Sequence, residues 1–201
     1  MATVLSQYFH KDGSICLFNG AHNGYMQGIY SVLKEENNLR KILLLSDTHG
    51  FLDEKIIKYA NTVDEIWHAG DVGDVTIIDR LKQIKPLKGV YGNIDNHEIR
   101  KELPLDCKFY CENIYVWITH IGGYPNRYKQ RIKEGFKSNK VNLFICGHSH
   151  ILKIIFDKKY NLLHINPGAI GKHGFHKKRT MVRFDIDQDK IENLEVIEFN
   201  R

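Results

Sequence analysis

The stretch Lys41-Ile-Leu-Leu-Leu-Ser-Asp-Thr-His-Gly50 limits what this chain can fold into. Its apolar residues run without alternation, so both faces of the segment must be covered. A run this short is a strand in the middle of a sheet sheathed on both sides. It stops at Asp47 and His49, followed by Gly50. An acid and an imidazole where a buried strand gives way to a turn are what α/β sheets use for chemistry. A capping Asp and a surface His are the plainer explanation. The rest of the chain decides between the two.

From Lys41 onward the pattern is regular. After the strand Lys41–Asp47, Asp53-Glu54 opens a helix through about Ala60, with Asp53 at its N-cap. Glu65–Asp71 reads as the second strand and ends in Asp71. Asp74 opens a helix through Gln83, with Val75, Ile78 and Leu81 at helical spacing. For Asp74 capping is preferred over metal binding. Leu87–Asn93 reads as the third strand. This β-α-β-α-β order implies a parallel sheet with right-handed crossovers.

The period changes at Asp106. Lys108–Cys111 and Ile114–Ile121 read as a hairpin across Glu112-Asn113, with His120 at its far end. A Gly122–Pro125 loop leads to a basic helix, Arg127–Lys137. Val141–Gly147 is another apolar strand, and it runs into His148-Ser-His150. Strands at Leu152–Asp157, Asn161–Ile165, Thr180–Asp187 and Ile191–Phe199, with a turn at Asn166-Pro-Gly168, point to a second sheet packed on the first.

Residues 1–39 differ from the rest. Gly13, Gly20, Gly24 and Gly28 break every period, although Ser31–Arg40 can form a short helix. The stretch reads as an N-terminal extension to a domain at 40–201. Three forms of it stay open: a hairpin-like decoration, a disordered segment, or sequence upstream of the true start. No chemistry is expected at His10 or His22. It has no basic segment followed by an apolar one, so it does not read as a secretion signal. The four cysteines (Cys16, Cys107, Cys111, Cys146) make no CxxC pair, and a reducing cytoplasm is expected. No apolar run approaches the ~20 residues that cross a bilayer. A net charge of +5 is too weak to imply nucleic-acid binding by itself.

Five expected strands end in groups that bind metals: Asp47 with His49, Asp71, Asn93, His120, and His148 with His150. All offer oxygen or imidazole nitrogen and none a thiolate. That set suits Mn²⁺, Fe or Zn²⁺ and argues against a cysteine-rich structural zinc site. Each has a plain explanation alone. Five together do not, because buried strands rarely deliver polar groups to one edge without a ligand there.

The order D-x-H, GD, GN, an isolated His and GHxH resembles the calcineurin-like metallophosphoesterases, from about Lys41 to the C-terminus. Length and spacing resemble the small prokaryotic phosphodiesterase branch, including its NPG-type turn at Asn166–Ala169. The resemblance implies an α/β fold (α+β in some schemes). It consists of two mixed β-sheets packed as a sandwich and flanked by helices, four layers in the order α/β/β/α. It also implies two divalent metal ions, Mn²⁺ first, with Fe, Zn²⁺, Ni²⁺ or Co²⁺ as alternatives. Asp47, His49, Asp71 and His150 would hold one ion. Asp71, Asn93, His120 and His148 would hold the other, with Asp71 bridging. A bridging hydroxide would then attack phosphorus in a small phosphodiester or nucleotide-like ester.

The match departs from the family at one position. Many members carry a leaving-group acid directly after the GN asparagine, where this chain has Ile94 and then Asp95. Asp95 and His97 are candidate catalytic replacements, and an ordinary surface His is the competing reading of His97. Asn93, Arg127 and Arg179 are candidate substrate contacts, Arg127 by a bidentate grip on phosphate. The basic run Lys172–Arg179 reads either as a phosphate contact or as a solvated turn. His68 reads as a ligand-orienting group or as strand packing, and His164 as strand packing. The complete ligand set favours a small phosphoester hydrolase. Two alternatives are a non-catalytic module, as in a eukaryotic retromer subunit with a degraded ligand set, and a nuclease. No membrane or nucleic-acid partner is expected, and a homo-oligomer is left open.

Overall fold

The computed structural model describes residues 7–9, 15–17 and 39–201. Its internal contacts divide the chain into Met1–Asn38 and Leu39–Arg201. In the first unit, β1 (Gln7–Phe9) and β2 (Ile15–Leu17) pair antiparallel, with Tyr8 opposite Cys16. The other expectations for residues 1–39, including the helix from Ser31 and the surface His10 and His22, lie outside the described residues.

The second unit is built on two mixed five-stranded sheets. One has the order β12-β11-β3-β4-β5 and the other β6-β7-β8-β10-β9. In the first sheet β3 (Arg40–Leu45), β4 (Glu65–His68) and β5 (Leu87–Gly89) are parallel. Antiparallel strands β11 (Lys178–Asp187) and β12 (Lys190–Asn200) extend it beyond β3. In the second sheet β7 (Ile114–Thr119), β8 (Leu143–Ile145) and β10 (Leu162–Pro167) are parallel. Its antiparallel edges are β6 (Asp106–Cys111) and β9 (Leu152–Asp157).

The apolar run of β3 shows why neither of its faces is polar. Ile42 and Leu44 enter the core between the sheets with Trp67, Val116, Ile145, Ile165 and Phe184. Leu43 and Leu45 face the other way, into a second core with Ile56, Ile78, Leu81 and Ile99. Those partners come from helices α1 (Glu54–Ala60), α2 (Val75–Ile84) and α3 (His97–Glu102). On the outer face of the second sheet, Ile132 of α4 (Gln130–Ser138) packs with Trp117, Phe144 and Leu162. Helix, sheet, sheet and helix therefore stack in four layers, the arrangement expected from the sequence.

Both expected N-caps are present. Asp53 Oδ1 accepts from Ile56 N at 3.0 Å, and Asp74 Oδ1 from Thr76 N at 2.8 Å. The second strand stops at His68, short of the expected Asp71, and other expectations also need correction. The third strand stops at Gly89, because Tyr91 N turns aside to the Pro104 carbonyl at 3.1 Å. The basic helix starts at Gln130, because residues 124–127 close a turn through Arg127 N and Tyr124 O (2.7 Å) with Asn126 at φ 69°. The helix α3 was not anticipated at all. Among the described residues, no helix is long and apolar enough to cross a membrane.

Candidate metal centre

Each strand expected to end in a candidate ligand carries that residue one or a few positions past its last ladder bond. The crossing segments are then tied together by backbone. Asp47 N donates to Gly70 O at 2.9 Å, His49 N to Asp71 O at 3.0 Å, and Gly147 N to His120 O at 3.0 Å. These ties set the Asp47–His49 turn beside the Asp71 turn and the His120 end beside the loop that carries His148 and His150. The turns are sharp. Asp47 (φ 54°), His49 (47°), Asp71 (53°), His148 (72°) and His150 (58°) all have left-handed backbone. Side chains other than glycine pay of order 1 kcal/mol for that conformation, and such strain gathers at functional sites. Asp, Asn and His tolerate it best.

The side chains converge in two groups. In one, potential ligand atoms of Asp47, His49 and His150 lie within 4.8 Å of one another; in the other, those of Asp71, His120 and His148 do. His150 Nε2 is 3.3 Å from Asp47 Oδ1 and 3.3 Å from His49 Nε2. Asp71 reaches both groups: Oδ1 is 3.1 Å from His120 Nε2, and Oδ2 is 3.8 Å from His49 Nε2. Asn93, the seventh expected ligand, lines the same cavity. Gly92 leaves room for this. A Cβ there would collide with Asp71 Oδ1, so the GN turn can lie against the carboxylate only as glycine. Ile94 N then donates to Asp71 Oδ1 at 3.1 Å.

The donor set fits divalent cations. His120 Nδ1 bonds the Ala69 carbonyl at 2.7 Å, which puts its proton there and leaves Nε2 as a lone pair aimed into the site. That Nε2 is buried with no aligned hydrogen-bond partner, although Asp71 Oδ1 is close. A buried orphan acceptor beside carboxylates is what a metal satisfies. The imidazoles divide in their protonation balance. Burial pushes the His49 imidazole below its ordinary value, and the Asp71 and Asp47 charges only partly offset it. Burial and the neighbouring His120 do the same to His148. Burial alone would raise Asp71, but the close His120 and the Ile94 N–H outweigh it and hold the carboxyl low. His150 is raised by its contact with Asp47. The lowered Asp71, His49 and His148 favour the forms that bind metal, whereas His120, raised by Asp71 and Asp47, and His150 would release protons on binding it.

A rigid outer layer supports these groups. Ser46 Oγ donates to Asp47 Oδ2 at 2.6 Å. His68, one of the two readings of which was a ligand-orienting group, is buried and takes the Gly70 N–H on Nδ1 at 3.1 Å. Its Nε2 then donates to Thr48 Oγ1 (3.0 Å), which donates to Val72 O (2.9 Å). His68 thus braces the turns that carry Asp47 and Asp71 without entering the site. Asn166 of the NPG turn is fully buried and donates to Gly147 O at 2.8 Å, under the His148–His150 loop.

The remaining candidates lie elsewhere. Asp95 is buried, and its carboxylate accepts three backbone N–H groups, from Gly92 (2.7 Å), Gly73 (2.8 Å) and Val72 (3.1 Å). It clamps the GN turn to the GD turn, with both of its oxygens engaged. His97 is the exposed first residue of α3 and does not line the cavity. Arg127 is exposed outside the cavity lining. Arg179 does not line the cavity. It is 3% exposed, pairs with Asp53 at 3.1 Å, and stacks over Phe51 and Phe199. His164 is fully buried in its strand, as expected.

The sequence reading weighed the loop that follows the NPG turn as a phosphate contact or a solvated turn, and gave its histidines no role. His173, Phe175 and His176 line the cavity of about 550 Å³ that holds the ligands. The His173 ring centre is 4.8 Å from that of His49, and His176 is 5.3 Å from His150. Two imidazoles inside the basic run were the available signal, and the run's lysines obscured it.

The model of the calcineurin-like phosphoesterase superfamily domain matches residues 41–189. A probable metallophosphoesterase of Methanocaldococcus jannaschii is 30% identical over 132 residues. That match covers 63% of this chain and 66% of the relative, slightly less than two thirds of its length. Among solved structures, a conserved protein of Streptococcus pneumoniae described as a predicted phosphoesterase superposes with a TM-score of 0.57 at 21% identity. It covers 81% of this chain and 98% of its own. Wild-type Vps29 of Entamoeba histolytica, solved with Zn²⁺, superposes with a TM-score of 0.61 at 14% identity, covering 80% and 98%. At those identities the two structures speak for the fold alone.

Proposed function

The chain belongs to the calcineurin-like phosphoesterase superfamily, and on that premise we propose that residues 40–201 form a hydrolase that uses two divalent ions to cleave a small phosphodiester. The observation that carries this reading is the position of Asp71, whose two carboxylate oxygens face His120 on one side and His49 on the other. One carboxylate between two ligand groups suits a shared ligand, because it offsets the repulsion of neighbouring cations.

Asp47, His49 and His150 would hold one ion, and Asn93, His120 and His148 the other, with Asp71 common to both. When bound, the ions supply an acidified water and neutralise charge on the phosphoryl oxygens. The chain's own work is placement. His120 is fixed in one tautomer by Ala69, Asp47 is held by Ser46, and the GN turn is held by Asp95. Ile94 stands where a proton-donating His is common in the family, so an ester with a good leaving group is the better substrate. The ligand chemistry makes Mn²⁺ the first ion to test. The cysteine pattern makes the cytoplasm the expected compartment.

The test is a chelator-stripped protein titrated with Mn²⁺, Zn²⁺, Ni²⁺ or Co²⁺, followed by metal content and by hydrolysis of bis-p-nitrophenyl phosphate. Turnover that saturates at two equivalents of metal is the expected result. Two bound equivalents with no hydrolysis of any mono- or diester would mean a non-catalytic module of the same fold. Salt-sensitive DNA binding with strand cleavage would mean a nuclease.

A further inference from the structure

Five candidate ligands, His49, Asp71, Asn93, His148 and His150, line the cavity, and apolar side chains make up part of its rim. Eight large apolar side chains are exposed among the described residues, and three of them line this cavity: Ile94 (48% exposed), Ile151 (61%) and Phe175 (104%). Single exposed apolar residues are ordinary, but a group of them around a polar floor marks a binding site. Ile94 follows Asn93 and Ile151 follows His150, so each stands one residue from a candidate ligand. A phosphate on the floor would fill a small part of about 550 Å³, a volume in the range that receives a whole small organic ligand.

Phe175 is held out from an anchored loop. Gly174, at φ 114°, lies against the His150 ring, and a Cβ there would collide with His150 Nδ1. Its carbonyl accepts from Arg201 Nη1 at 2.8 Å, and His176 Nε2 donates to Gly171 O at 3.0 Å. The backbone before Phe175 thus lies against the His150 ring, and the loop is tied further by Arg201 and by Gly171, while the Phe175 ring faces water. A fixed, solvated ring beside a reactive floor gains most by covering a second flat surface.

We propose that Phe175, flanked by Ile151 and Ile94, is the seat for a planar aromatic group carried by the substrate, and that the substrate is a nucleotide-type phosphoester. The proposal rests on the phosphoesterase reading and narrows its substrate class. The phosphate sits on the ligand floor, the base lies on Phe175, and the two isoleucines cover its edges. Base-on-aromatic contacts commonly change affinity by about tenfold or more on removal of the ring.

Calorimetric titration of the Mn²⁺-loaded protein with thymidine 5′-monophosphate and with methyl phosphate tests this without relying on turnover. Both ligands present the same phosphate dianion, and only one has a base. In the native protein the nucleotide should bind at least about tenfold more tightly than methyl phosphate. Phe175→Ala should cut that ratio by about tenfold, and Phe175→Trp should keep it within about threefold, since every aromatic face stacks. A ratio that stays within twofold in Phe175→Ala overturns the seat and leaves the phosphoesterase reading standing. Binding of neither ligand to the loaded protein overturns both.

Discussion

Asp95 Oδ2 accepts the backbone N–H of Gly92 at 2.7 Å, and so holds the turn that presents Asn93 against the turn that presents Asp71. The same carboxylate takes the N–H groups of Val72 and Gly73. Asp95→Asn replaces one charged acceptor oxygen with an amide that can only donate. Hydrogen bonds to a buried charge contribute about 1.5–3 kcal/mol each, and the substitution should cost about 2–3 kcal/mol in urea unfolding. Metal affinity should fall with it, since the two turns lose their clamp. The pH–rate profile of the residual activity should keep both limbs. Loss of the basic limb alone would restore Asp95 as the leaving-group acid.

Asp71 lies within reach of both candidate ligand groups. Asp71→Asn keeps its shape and the Ile94 N–H contact but halves the charge available to the pair of ions. We expect kcat/KM for a chromogenic diester to fall by at least about a thousandfold, roughly 4 kcal/mol of transition-state stabilisation. Bound metal should drop below two equivalents while the circular dichroism spectrum is unchanged. Retention of both ions at native affinity would show that the carboxylate is not shared.

Arg179 separates a structural role from a substrate role. Its guanidinium is buried against Asp53 and between the Phe51 and Phe199 rings. Removing one partner of such a pair leaves a poorly solvated charge. Because Asp53 is partly exposed, the cost of Arg179→Ala should be about 2–3 kcal/mol, below the full penalty of a buried pair. The KM for a diester should remain within twofold at a temperature where the variant is folded. A large rise in KM without loss of stability would return Arg179 to the substrate.

How much of this was legible depended on what each feature leaves in the sequence. Strand runs that end in Asp47, Asp71, His120 and His148 stand out because apolar residues stop abruptly at a polar one. Asp53 and Asp74 were legible because a cap is a local event of three or four residues. The helix α3 was not, because among His97–Glu102 only Ile99 is buried, and one apolar residue sets no period. Arg179 was taken for a loop residue because the lysines before it look solvated, yet it lies one residue inside β11 and points into packing. The role of Asp95 depends on backbone N–H groups some twenty residues away, and side-chain identity does not record those. Left-handed backbone at five ligands is likewise a property of the assembled turns.

His164 gives a pH dependence that is independent of the metal site. It is 0% exposed, lies among the Tyr124, Tyr128 and Phe144 rings, and neither ring nitrogen has a partner. Burial, with Lys153 nearby, lowers its pKa from 6.5 to about 4. The unfolded chain therefore binds a proton that the folded one refuses between those values. Stability is complete above about pH 6.5 and is lost as the pH falls toward 4. At about 1.4 kcal/mol per pH unit, the loss approaches roughly 3 kcal/mol. His164→Phe matches the aromatic surroundings and removes the titrating group, so its stability should vary less over pH 6.5–4 by about that amount. Urea unfolding of both proteins at several pH values, in the presence of chelator, measures the difference. Parallel curves would mean that the imidazole is hydrated in the native state and titrates as it does unfolded.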